Sequence, residues 1–466
     1  MKTFGFQDET EVLNFVDDKE NKIEFIRIIF PDILGRAMNF TIPTSEFETA
    51  LREGKGFDGS SVEGFCRIEE SDLFIVPDPK TFRVLPWVYE NNNFSWREGI
   101  IFGDIFTPDK EHFLGDSRYL LKEVLKKTKD IGEMFVGPEM EFFIFPNKKE
   151  AKLTDEGGYL YGGLYGELRK SIQLFLKEIG IACDCDHHEA APSQHEIDIK
   201  YSDALSMADS VMLAKYIIKR VAAKSGLFAS FMPKPITKIN GSGMHLHISL
   251  WTPPTHHPPA SRAPNGKNLF FKNEKDPLSD LAKGYITGLI KYGKEIQPVL
   301  NQWINSYKRL IPGYEAPTYL AWGQRNRSAY IRIPQYQKGR ERSTRIELRS
   351  PDPACNIYLG LAIIQAAGIK GIKEKLPFPP VVEEDIFEMT IEERKRRKID
   401  TLSKNLKESL GHFQKSDLVK KTLTDHLFKK FVANKEYEWS LYKKNVKEGF
   451  EQQVSDYEIR HYLPVL

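Results

Sequence analysis

The first hundred residues carry short, β-rich apolar runs cut by turn residues. Lys22 to Phe30 is such a run, Pro31 to Gly35 breaks it, and Ala37 to Ile42 can pair back as a hairpin. Ser45 to Glu53 predicts a short helix, and the glycine-rich polar segment Gly56 to Ser61 behind it predicts a loop. From about residue 107 the pattern changes to helices alternating with strands. Asp116 is a candidate cap for a helix carrying Leu120, Leu121, Val124 and Leu125, with Gly132 as its stop. Helical spacing returns over Leu168 to Ile179, ended by Gly180, and over Ala204 to Ala223, ahead of Gly226. After Asp352 the chain is mostly helical, and the basic run Glu392 to Lys398 reads as a solvated face. Thr252 to Ala263, where Pro253, Pro254, Pro258 and Pro259 surround His256 and His257, predicts a surface loop rather than a metal site, because proline blocks both helix and central strand. No internal repeat is present, and the whole reads as α+β.

Three strand patterns place chemistry on one face. In Gly137 to Phe145, Glu139 and Glu141 alternate with apolar residues and point the same way, so two acids share a buried surface. A divalent cation would relieve their repulsion. His245 and His247 repeat the spacing in Gly243 to Ser249, and Glu347 stands between Arg345 and Arg349 in a third segment. Structural histidines and a salt-bridge ladder are the plainer readings of these two. Between Cys183 and Glu189, with Gln194-His195-Glu196 beyond, sulfur, imidazole and carboxylate crowd together. Cys183 and Cys185 lack the spacing of a zinc site, whereas Glu189 and Glu196 suit magnesium or manganese as oxygen ligands.

Composition narrows the class. The chain has 466 residues, 41% hydrophobic and 28% charged, and its 67 Lys and Arg nearly balance 65 Asp and Glu. That balance argues against a general nucleic-acid or membrane binder. No apolar run approaches the roughly 20 residues of a transmembrane helix, Met1 to Asp18 is unlike a signal peptide, and four cysteines fit a reducing compartment. A cytoplasmic location without structural disulfides is therefore expected. Against this even background, Arg309, Arg325, Arg327, Arg332, Arg340, Arg342, Arg345 and Arg349 stand among only Glu315, Glu341 and Glu347. Such density of guanidinium forks suggests a pocket for a phosphorylated polyanion.

Taken in order, several segments resemble class I glutamine synthetase. They are Phe57-Asp58-Gly59-Ser60-Ser61, Gly137-Pro138-Glu139-Met140-Glu141, His187-His188-Glu189 with Gln194-His195-Glu196, and Met232-Pro233-Lys234-Pro235. Asn240-Gly241-Ser242-Gly243-Met244-His245-Leu246-His247, Asn305 to Arg309, Pro312 to Pro317, Gln324 to Pro334 and Arg345 to Pro353 continue the series, so that the likeness runs from about residue 20 to the C-terminus. The resemblance implies an N-terminal β-grasp domain, residues 1–106, and a catalytic domain, 107–466, with an open, barrel-like antiparallel sheet flanked by helices. It implies two stacked hexamers whose active sites lie between subunits, small-molecule substrates, and neither nucleic-acid nor membrane partners. A nitrogen-regulatory protein is a further partner that the sequence leaves open.

The reaction so implied joins ammonia to the γ-carboxylate of glutamate at the expense of ATP, through γ-glutamyl phosphate. Glu141, Glu189 and Glu196 match the ligands of one divalent cation, Mg2+ or Mn2+, and Glu139, His245 and Glu347 those of a second. Arg327 and Arg332 match residues on the transferring phosphoryl group, with His247 near it, while Arg309, Arg349, Asn240 and Gly241 match contacts to glutamate. Arg342, Arg345, Tyr201 and Ser249 lie where the family holds ATP. Asp58, with Ser61 and Tyr159, matches the ammonium pocket, and Glu315 matches a closing flap that takes a proton from the tetrahedral adduct. After Gly157-Gly158-Tyr159 the chain departs from the family pattern.

Two further positions concern regulation. Where some members carry a nucleotidylated tyrosine this chain has Phe387, which has no hydroxyl to modify. Glu63 to Glu70 resembles the glutamine-feedback-inhibited, or alpha, subgroup, in which an arginine at the position of Arg67 links bound glutamine to inhibition. Two other readings compete: a relative that ligates glutamate to other amines, against which Asp58 and Ser61 stand, and an RNA-binding surface, against which the clustered glutamates stand.

Overall fold

The computed structural model describes residues 2–65, 71–159, 165–253, 266–311, 316–447, 449–450 and 452–466. Arg67, Glu315 and nearly all of the proline and histidine segment therefore lie outside the described residues.

The β-rich run and its hairpin partner form as expected: Ile23–Pro31 pairs antiparallel with Ala37–Pro43. They belong to a seven-stranded sheet ordered Ala37–Pro43, Ile23–Pro31, Phe94–Phe106, Asp72–Pro77, Lys55–Asp58. One pairing, Ile23–Pro31 with Phe94–Phe106, is parallel. The helix Phe47–Glu53 lays Phe47, Ala50 and Leu51 against this sheet, where Ile26, Ile28, Phe82 and Ile101 complete a separate small core. A helix clasped by a mixed sheet is the β-grasp arrangement. Gly56 to Ser61 is not the predicted loop. Lys55–Asp58 is a strand paired with Asp72–Pro77, and Gly59–Ser61 is a 3-10 turn capped by Asp58. The ladder partner is distant in sequence, so local composition misreads the segment.

The second sheet has ten strands and stays open, running from Asp400–Thr401 through Tyr319–Gly323, Ala329–Arg332, Ile346–Leu348, Met244–Trp251, Glu133–Phe145 and Gln194–Ile199 to Cys183–His188. Its pairings are antiparallel apart from Tyr319–Gly323 with Ala329–Arg332. Helices cover one face. Ser117–Thr128 starts at Asp116, whose carboxylate accepts from the amides of Arg118 and Tyr119. It ends at Thr128, one turn before the predicted Gly132. Gly166–Glu178 is followed by Gly180 at φ +81°, a conformation that glycine adopts without strain. Ala204–Lys224, Asp280–Leu300 and Ile357–Glu374 bury long apolar stripes in the main core. No helix among the described residues is long and apolar enough to cross a membrane. Cys183, Cys185 and Cys355 carry free thiols.

Candidate active site

Register brings the sequence patterns together. Across the central strand Glu133–Phe145, Glu141 faces Glu196 and Glu139 faces Asp198 on one side, while Glu139 faces His245 on the other. His247 then faces Glu347, Glu347 faces Arg332, and His187 faces Glu196. Directly opposed residues point to the same face of a pleated sheet, so six strands aim one continuous band of acids, imidazoles and an arginine at one surface. A cavity of about 380 Å³ opens there. It is lined by all six acids and imidazoles singled out as cation ligands, Glu139, Glu141, Glu189, Glu196, His245 and Glu347. Arg309, Arg327, Arg332, Arg349, Asn240, Gly241 and Tyr159 line it too.

Two tight donor groups lie within it. Glu139, His245 and Glu347 have ligand atoms within 4.8 Å of one another, and so do His187, Glu189 and Glu196. Glu141 lines the same space, but its Oε2 accepts from Gln194 Nε2 at 2.8 Å and from the Gly243 amide at 2.9 Å. Burial, and then the charge of Glu189, push the Glu141 carboxyl up to about 8 despite Arg309. Glu196 is pushed up to about 12 by burial and by Glu141, Glu139 and Glu189. Glu139 behaves oppositely: burial works to raise it, yet hydrogen bonds from His245 at 3.0 Å and His247 at 2.6 Å hold it well below the usual carboxylate range. Glu347, fully buried, is likewise held low against its burial by Arg349, His247 and His245. Oxygen donors with one imidazole in each group, and negative charge that the protein leaves uncompensated at Glu141 and Glu196, fit hard divalent cations such as Mg2+ or Mn2+. The cysteines do not fit a thiolate site, since burial pushes both the Cys183 and Cys185 thiols up to about 12.

The arginines are held by the backbone. Arg309 is buried and donates to the carbonyls of Ser350 at 2.8 Å, Pro351 at 3.2 Å and Arg349 at 3.1 Å. Arg349 donates to Glu347 Oε1 at 2.6 Å, while its Nε is buried without a partner among the described residues, leaving a donor for a ligand. Gly243 makes the close packing feasible: a Cβ there would stand 2.5 Å from Arg309 Nη2 and 3.0 Å from both Glu141 and His245.

Beyond this cavity the same face continues toward Phe135, Ser249 and Trp251. Ser249 Oγ accepts from Trp251 Nε1, Arg342 stacks 4.7 Å from the Trp251 ring, and half-exposed Tyr201 meets Phe135 edge-on. Arg345 donates to His247 Nδ1 at 3.0 Å and so joins this region to Glu139. Asp58 and Ser61 are not brought to the cavity. Asp58 is exposed, accepts from Ser60 and from Ser61 Oγ at 2.9 Å, and is held below its usual range by those bonds. Sequence reasoning assigned nothing to His187, Gln194 and Asp198, which also line the cavity. Each stands two residues from a glutamate already chosen, Glu189 or Glu196, so the same alternation could have found all three.

Comparison with known proteins decides the family. A family model described as the glutamine synthetase catalytic domain matches residues 114–462, and one described as the glutamine synthetase beta-grasp domain matches 22–108. The chain belongs to the glutamine synthetase family. The glutamine synthetase of Methanosarcina mazei is 43% identical over 91% of this chain and 93% of its own. That of Thermotoga maritima is 41% identical over 97% and 99%. Among solved structures, an ADP complex of GmaS superposes with TM-score 0.82 at 28% identity, covering 95% of this chain and 99% of that one. The Plasmodium falciparum glutamine synthetase gives 0.80 at 25%, covering 99% and 100%. Both family domains, beta-grasp and catalytic, are thus present in a class I glutamine synthetase chain.

Proposed function

We propose that this chain is a glutamate–ammonia ligase that makes glutamine from glutamate, ammonia and ATP through γ-glutamyl phosphate. The observation that carries the reading is the single sheet face on which Glu139, Glu141, Glu189, Glu196, His245 and Glu347 share a cavity with Arg309, Arg327, Arg332 and Arg349. Chains named glutamine synthetase, about 40% identical over most of its length, support it. The division into domains at 1–106 and 107–466 belongs to the same proposal.

Glu141, Glu189 and Glu196 would hold one divalent cation, and Glu139, His245 and Glu347 a second. Bound there, such ions supply charge that offsets the phosphate oxygens and helps orient both substrates. Arg309 and the unpartnered Nε of Arg349 bind the carboxylates of glutamate, beside Asn240 and Gly241. Arg327 and Arg332 meet the transferring phosphoryl group, with His247 near it. The aromatic extension of the face, with Tyr201, Ser249, Arg342 and Arg345, takes the nucleotide, and GmaS, which has the same fold, forms an ADP complex. Glu315 would close over the site, and Tyr159 would form part of the ammonium pocket.

Asp58 and Ser61 do not line their own chain's cavity and Asp58 is exposed, which supports an assembly in which the first domain of one subunit completes the site of the next. The dodecamer implied by the resemblance has that property. Arg67 is proposed to link bound glutamine to feedback inhibition. A panel of amines with glutamate, ATP and either Mg2+ or Mn2+ tests the reading. Phosphate and γ-glutamyl amide should appear in equal amounts with ammonia as the preferred amine. Preference for an alkylamine would move the chain to another ligase, and RNA binding without ATP-dependent amide formation would end the proposal.

A further inference from the structure

A second cavity, of about 640 Å³, shares the Ser306–Arg309 turn with the active cavity: Lys308 lines the one and Arg309, the next residue, lines the other. Its size falls within the roughly 300–1,000 Å³ usual for small-molecule sites. Trp439, Tyr442 and Phe450 give it an aromatic wall, and Tyr319 adds a ring on which Arg394 stacks at 5.2 Å. Lys404, Lys443 and Lys447 also line it, are exposed, and make no ion pair among the described residues. No described lining residue is an acid. Lys308 is occupied differently, bonded to Glu458, the Gln453 carbonyl and, at 3.0 Å, the Tyr442 hydroxyl, and so it stiffens the wall.

The deeper lining supplies an independent observation. Thr318 and Ser403, only 6% and 2% exposed, both line the cavity, and the hydroxyl of each is buried without a hydrogen-bond partner among the described residues. Buried hydroxyls are seldom left unmatched where nothing else binds. Rings for stacking, unpaired ammonium groups at the edge and unmatched hydroxyls within together describe one ligand chemistry. We propose that this cavity is a second ligand site, taking a planar aromatic anion whose ring lies on Trp439 and Tyr442 and whose charged group sits among Lys404, Lys443 and Lys447. Leu310 and Ile311 on one side, and Thr318 and Tyr319 on the other, bring the chain that flanks residues 312–315 to the same cavity. An occupant there would bear on Arg309. That coupling rests on the glutamine synthetase reading, whereas the site itself does not.

The probe is 8-anilinonaphthalene-1-sulfonate, an aromatic anion, titrated by fluorescence into the assembled enzyme with saturating ADP and Mg2+ filling the active cavity. Saturable binding with energy transfer from tryptophan is expected. The double variant Lys443→Glu/Lys447→Glu, at exposed positions, should weaken it about tenfold or more through loss of two charge-assisted contacts, with the thermal melt and basal glutamine formation unchanged. Wild-type affinity in that variant would overturn the proposal, and so would a structure of the assembly with a neighbouring copy filling the cavity. AMP and indole-3-acetate as competitors separate a nucleotide from an aromatic carboxylate, and failure of both to displace the probe would also count against the site. Probe binding that leaves glutamine formation unaltered would support the site and refute the coupling.

Discussion

Two clusters of buried charge in this protein are built alike and balanced differently. Between the first sheet and the helices that follow it, the fully buried Arg118 donates to both oxygens of Asp209 at 3.0 and 2.9 Å, to Asp104 at 2.6 Å and to Asp78 at 3.1 Å. Lys122 adds a second cation to Asp104, and the Tyr358 hydroxyl donates to Asp209 at 2.6 Å. Burial would raise Asp104, but Arg118 and Lys122 hold it below its usual range. The network is closed. In the active cavity Glu139 and Glu347 are similarly paired, yet Glu141 and Glu196 are pushed upward because burial, with the charge of Glu189 on Glu141 and of Glu141 on Glu196, outweighs their partners. A closed network holds two domains together; an open one leaves charge for something outside the chain to neutralise.

The largest effect separates these roles directly. Arg118→Met leaves the buried Asp209 without its cation, and Asp104 and Asp78 with Lys122 alone, and should cost about 3–5 kcal/mol of stability, the usual penalty for breaking a buried ion pair, measured by urea unfolding. Glu196→Gln removes from the open cluster a carboxyl that would ionise when a cation binds. It should lower glutamine formation by about 100–1,000-fold, equivalent to roughly 3–4 kcal/mol of transition-state stabilisation, while the cation-free protein melts no lower than wild type. A large loss of stability in Glu196→Gln would show that the second network is closed too.

Proton uptake sharpens the same contrast. The folded carboxyls of Glu141 and Glu196 sit above the unfolded value of 4.5, at about 8 and about 12, so the folded chain keeps protons that the unfolded chain gives up. Their stabilising contribution is complete below about pH 4.5 and is lost as pH rises toward the folded values. The cation-free protein should therefore lose stability between pH 5 and 8 from these two groups. Adding Mn2+ at pH 7 should release about one to two protons per chain, read by calorimetry in buffers of different ionisation enthalpy. Equal heats in all buffers would contradict the assignment.

The sequence disclosed the open cluster far better than the closed one, for a reason that lies in strand geometry. Alternation alone put Glu139 with Glu141 and His245 with His247, because side-chain direction on a strand is a local property. Extending the same step from Glu196 would have reached Gln194 and Asp198. Which strand lies beside which is not local, so the pairings Glu141 with Glu196 and His247 with Glu347 needed the structure or the family likeness. Asp78, Asp104, Arg118 and Asp209 come from separate elements and share no spacing, so nothing in the chain announces their network. The strand Lys55–Asp58 was missed for the same reason, since Asp72–Pro77 makes it a strand. The second cavity draws on segments near 310, 400 and 445, which no periodicity connects.

The smallest predicted effect concerns how closely the open cluster is packed. Gly243 has no side chain, and a methyl group there would meet Arg309 Nη2 at 2.5 Å and the Glu141 and His245 side chains at 3.0 Å. These contacts are below normal separation, but two involve side-chain ends that can give by a few tenths of an ångström. Arg309 has less freedom, because three backbone carbonyls hold its guanidinium. Gly243→Ala should therefore fold, displace Arg309, and raise KM for glutamate about tenfold, a loss of roughly 1.4 kcal/mol, with KM for ATP nearly unchanged. An equal rise in both constants would mean that the substitution distorts the whole strand, and that Arg309 is not the group through which the cavity reads glutamate.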